Sequence, residues 1–63
     1  MKYSEIKDLT VEELRKRYKA MRDELFEMNM KHYLGQLADP MSIRYKRRDI
    51  SRVKTALNAK LAQ

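Results

Sequence analysis

Cysteine is absent from the 63 residues, so neither disulfides nor thiolate zinc sites can hold this fold together. The single histidine, His32, cannot make a metal site alone. No stretch approaches the roughly 20 consecutive apolar residues of a membrane span. Residues 1–10 include Glu5 and Asp8 and lack an apolar core, so they do not read as a signal peptide. Together these absences lead us to expect a cytoplasmic protein with no membrane contact. Glycine and proline occur once each, and a chain this short leaves little room for a concave pocket with its supporting shell. We therefore expect no enzymatic activity, no cofactor and no small-molecule ligand.

A domain of this size buries only about 60% of the surface its unfolded chain exposes, so a partner is the expected source of extra stability. The charge indicates the kind of partner. Lys and Arg number 15 against 9 Asp and Glu, for a net charge of +6 and a pI near 9.8, which points to a polyanion.

The apolar residues Val11, Leu14, Tyr18, Met21, Leu25 and Met28 recur every three or four positions, the spacing of a helix packed along another helix. Thr10 with Glu13 forms a capping box at its start. Gly35, placed where a left-handed residue is wanted, ends it. Upstream, Ser4 is read as the cap of a short turn over residues 5–8, with Leu9 tucked against the main helix. Asp39 and Pro40 open a second helix as N-cap and first-turn residue. Its apolar stripe is Ile43, Ile50, Val53, Leu57 and Leu61. The expected fold is all-α, a single domain over residues 1–63. It is a long antiparallel two-helix hairpin with helices over about 10–34 and 40–61, a turn over 35–39 and a short N-terminal helical turn.

Residues 10–34 carry six basic and five acidic side chains, whereas residues 35–63 carry seven basic and two acidic. Arg44, Arg48 and Arg52, each four apart, stack on the side of the second helix opposite its apolar stripe. Arg47 and Lys54 flank that stripe, and Lys46 falls on it as a misfit whose stem can pack while its ammonium reaches out. A charged outer face is usually only solvated, but such faces mix signs, and this one has few acids to pair its bases. Guanidinium forks suit phosphate, and Ser51 and Thr55 add hydroxyl donors. Met21, Met28 and Met30 read as core fillers and His32 as half-buried at the end of the first stripe. Tyr33 and Tyr45 are too scattered for a base-stacking platform.

A family signature runs through the same residues. Glu24, Leu25 and Phe26, then Gly35, Gln36 and Leu37, Asp39 and Pro40, Ile43 and Arg44, and the run from Arg47 through Ile50 to Thr55 resemble the bacterial-type large-subunit ribosomal protein L-twenty-nine family. Met1, Lys2, Glu5, Ile6, Leu9, Glu12, Glu13 and Leu14 resemble that family's opening. The resemblance implies a helical hairpin that binds large-subunit ribosomal RNA at the rim of the polypeptide exit tunnel, beside ribosomal protein L-twenty-three. That region receives nascent-chain factors such as trigger factor and the signal recognition particle. It also implies that the RNA-facing residues are Arg44, Arg47, Arg48, Arg52 and Lys54, with Thr55 and Gln36 as polar companions. Lys46, Ser51, Asn29, His32 and Tyr33 depart from the family pattern, and Asn29 removes an arginine common there.

Two other readings compete with this one. A coiled-coil interaction module would dimerise through the apolar stripes. A DNA-binding regulator is disfavoured because long antiparallel helices offer no short recognition helix.

Overall fold

The computed structural model describes residues 3–62, with side chains from Ser4 onward. The Met1 and Lys2 of the family opening lie outside them. The chain forms α1 (Tyr3–Ile6), α2 (Val11–Tyr33) and α3 (Met41–Leu61), with α2 and α3 packed along each other. No strand occurs among the described residues. The two long helices run roughly 35 and 32 Å, which accounts for a body measuring 43 × 17 × 14 Å.

Both ends of α2 and the start of α3 carry the chemistry their residues promise. At the start of α2 the Glu13 N–H donates to the Thr10 hydroxyl oxygen at 3.2 Å, and the Glu13 carboxylate accepts from the Thr10 N–H at 3.4 Å and from its hydroxyl at 3.0 Å. At the other end the Gln36 N–H reaches the Lys31 carbonyl at 2.8 Å and the Gly35 N–H reaches His32 at 3.0 Å. That pair of bonds is a Schellman motif, and it requires the left-handed backbone of Gly35, φ +73°. Pro40 already has helical φ and ψ, so the capping falls to Asp39, whose carboxylate accepts the Met41 N–H at 3.0 Å. The Ser42 hydroxyl donates to the Asp39 carbonyl at 2.7 Å.

Both expected stripes face inward. Leu14, Met21, Ile43, Val53 and Leu57 are buried, and Val11, Tyr18, Leu25, Met28 and Ile50 are half-buried. Several expectations need correction. His32 and Met30 are exposed rather than in or beside the core, because the chain turns away at Leu34 and α3 does not extend past them. Leu61 is exposed for the corresponding reason at the opposite end. Ser4 lies inside α1 instead of capping it, and α1 ends at Ile6 rather than Asp8.

Two core residues stand outside the expected stripes. Ala56 is buried, and Ile6 is fully buried against α3 in one cluster with Leu14, Met21, Val53, Ala56 and Leu57. The core is therefore lopsided. The end near the chain termini has three elements converging on it, with Leu9 half-buried beside Ile6, whereas the turn end has two helices and leaves Phe26, Met30, Tyr33, Leu34 and Met41 exposed.

Lys46 behaves as its position demands. Its stem lies along the seam, and its ammonium meets the Glu24 carboxylate of α2 at 2.7 Å.

Candidate nucleic-acid interface

Burying Ile43, Val53 and Leu57 against α2 turns the opposite side of α3 to solvent, and that rotation presents its basic residues. Arg44, Arg48 and Thr55 lie along the centre of this outward face with Ser51, and all four are exposed. Arg44 and Thr55 are separated by roughly 16 Å along the axis. Among the described residues neither Arg44 nor Arg48 forms an ion pair, so their guanidinium donors are directed to water.

The borders of the face differ from each other. On one border stand Arg47 and Lys54, both exposed. The Lys54 ammonium lies 5.1 Å from the centroid of the Tyr18 ring on α2, and the Arg22 guanidinium lies 5.7 Å from the same centroid while donating to the Tyr18 hydroxyl at 3.1 Å. One tyrosine thus holds two cations near the helix seam through its ring quadrupole and its oxygen. On the other border Arg52 is tied to Asp49 at 3.0 Å, the one acid within α3. Its charge is partly compensated there, and it contributes less net field than Arg44 or Arg48. Gln36 is exposed but sits in the turn, so the structure does not bring it into the helical array.

The flank on Arg52's side of the seam has a different character. An open groove of about 550 Å³ runs between α2 and α3 there, floored by Met21 and edged by three acids, Glu13, Glu24 and Asp49, and three bases, Lys16, Arg17 and Lys46. Its mixed signs favour neither phosphate nor a metal ion. Among the described residues no three metal-ligating side chains converge, and no helix is long and apolar enough to cross a membrane.

The sequence that forms this hairpin matches a known family over nearly its whole length. The Ribosomal L29 protein profile covers residues 4–60. The chain belongs to that family. Relatives named large ribosomal subunit protein uL29 include one from Bdellovibrio bacteriovorus, 48% identical over the full length of both chains. One from Helicobacter pylori strain P12 is 46% identical over 94% of this chain and 89% of its own. A third, from Syntrophotalea carbinolica, is 45% identical over 95% of this chain and 97% of its own. The L29 family is one of ribosomal proteins, not of enzymes, as the lack of room for a pocket led us to expect.

Sequence reasoning missed the role of Tyr18. Its spacing from Arg22, four residues on one helix, was a readable signal. The approach of Lys54 from the other helix was not, since only the pairing of α2 with α3 brings positions 36 apart together.

Proposed function

We propose that this L29 family member is a structural constituent of the large ribosomal subunit. In this reading it binds large-subunit ribosomal RNA through the outward face of α3. The observation that carries it is the rotation of α3: hydrophobic burial leaves Arg44 and Arg48 exposed and without an ion pair, flanked by Arg47 and Lys54, with Thr55 between them in phase. Arginines placed against a folded RNA gain free energy by releasing counterions, while backbone shape decides where they land. Arg52 serves as a tethered donor, and Gln36 makes a separate polar contact at the turn.

The family resemblance further supports a position at the rim of the polypeptide exit tunnel, beside L-twenty-three, where trigger factor or the signal recognition particle docks. The coiled-coil alternative is weakened by the fold, since both apolar stripes are consumed within one chain and leave no long seam for a second copy.

The double variant Arg44→Glu and Arg48→Glu tests the reading. Its affinity for deproteinised large-subunit ribosomal RNA should fall at least ~10-fold, with a shallower salt dependence and unchanged far-ultraviolet dichroism. Undiminished affinity would mean that another face binds. In gently lysed cells the chain should sediment with large subunits and cross-link to L-twenty-three; finding it free of ribosomes would sink the proposal as a whole.

A further inference from the structure

Apart from the stripe it buries, α2 carries a second three-and-four-spaced series on its exposed side: Arg15, Lys19, Arg22, Phe26, Met30 and Tyr33, all exposed. Its first half is cationic and its second half apolar and aromatic. The contact of Lys54 with Tyr18 tells which flank of the hairpin this series occupies. Counting helical phase from Tyr18, the series lies on the same flank as Arg47 and Lys54 of α3, away from the mixed-charge groove. Between the series and the outward face of α3 come Tyr18, Leu25 and Asn29 of one helix and Arg47, Ser51, Lys54 and Asn58 of the other, with no acid among them. Glu13, Glu24 and Glu27 turn to the opposite flank, and Glu12 and Asp23 lie on the edge of α2 away from α3. The fold thus keeps acids out of the strip between this series and α3, whereas the opposite flank sets Lys16 and Arg17 beside Glu13 and Glu24 and stays mixed in sign.

The aromatic half of this flank lacks the cover that its composition calls for. Phe26 is 66% and Tyr33 87% exposed, with Met30 between them. Seven residues apart on one helix, the two positions are about 10 Å apart along its axis, which spans about three base-stacking steps of about 3.4 Å. Every nucleobase offers a flat π face to such rings, and cations bordering a stacking platform hold the accompanying phosphates.

We propose that this flank is a second RNA-contacting edge, on which unpaired nucleobases stack against Phe26 and Tyr33 while Arg22 and Arg47 hold the flanking phosphates. This inference rests on the RNA-binding reading of α3 and extends it from duplex backbone on one helix to single-stranded segments across the seam. The charge favours RNA over a protein partner as occupant, because the flank is continuous with the basic face and bears no acid between the rings and Arg47. Tyr45, on the other border of α3, takes no part.

The test uses the full chain and deproteinised large-subunit ribosomal RNA. Replacing both rings by aliphatic side chains, Phe26→Leu with Tyr33→Leu, should lower affinity at least ~5-fold at fixed salt, since stacking contributes about 1–3 kcal/mol per base. The slope of affinity against salt should not change, because no charge is removed. The exchanged pair Phe26→Tyr with Tyr33→Phe should bind within twofold of the parent. A loss smaller than fivefold in the aliphatic variant, or an equal loss in the exchanged pair, overturns the stacking role; the stripe is then a protein-docking or solvated face. All variants change exposed side chains, and thermal melting checks that the hairpin is intact. The two readings fail differently. If reversing Arg44 and Arg48 weakens binding while the aliphatic variant binds normally, only the stacking edge is lost; if the parent chain binds no ribosomal RNA, both are.

Discussion

At Gly35 one residue decides the handedness of a turn. Its φ of +73° lets two N–H groups return to the carbonyls of Lys31 and His32, and no atom lies within 4 Å of where a Cβ would stand. The cost of any side chain there is thus purely one of backbone conformation. Gly35→Ala should lower stability by about 1–2 kcal/mol, and Gly35→Asn by less, because asparagine tolerates the left-handed region. Urea unfolding at 25 °C followed by dichroism measures both. This position was legible because only glycine enters that region freely. Lys46 was legible as a misfit, but its partner was not: Glu24 lies 22 residues away, and only the register of the hairpin joins the two.

The helices themselves owe their limits to short-range chemistry and their orientation to long-range packing. The bonds between Thr10 and Glu13 satisfy first-turn N–H groups that would otherwise have no partner. Thr10→Ala should cost about 0.5–2 kcal/mol, and Thr10→Ser should restore most of it, both read as shifts in the urea midpoint. Such local signals reach three or four residues, and they predicted the ends of α2 and the opening of α3 to within a residue or so. They failed where an element is too short to carry a period. Within α1, Ile6 is one apolar residue among polar neighbours, and its complete burial follows from the surface that α3 offers it. His32 shows the converse error, since the three-and-four spacing continued past the point where the partner helix ran out.

For the whole molecule, the lopsided core means that stability is concentrated at the end where α1 closes over α2 and α3. Ile6→Ala removes a fully buried side chain from that end and should cost about 2–5 kcal/mol, a large share of what so small a domain holds. Anything that binds only the folded hairpin offsets such a loss by mass action, about 2.7 kcal/mol at a free concentration 100-fold above Kd. Under the RNA-binding reading, the Ile6→Ala chain should show fast amide hydrogen exchange alone and recover protection through α3 when ribosomal RNA is added. Exchange that stays fast with RNA bound would separate binding from folding. The turn end has few buried residues, and the stacking edge proposed above lies at that end.

The sequence by itself determined the two long helices, their caps, the turn and which residues of each helix face the other, because helical period and capping act over a few neighbouring residues. It also determined that the excess charge belongs to the second helix. Only the tertiary structure decided which side of the seam each charge occupies. Flank depends on how α2 and α3 lie against each other, so the pairing of Lys46 with Glu24, the meeting of Lys54 with Tyr18 and the burial of Ile6 all waited on contacts between residues far apart in the chain. The charge of α2, which looked like an ordinary solvated surface when read along the chain, became one flank basic toward α3 and one of mixed sign once the helices were side by side.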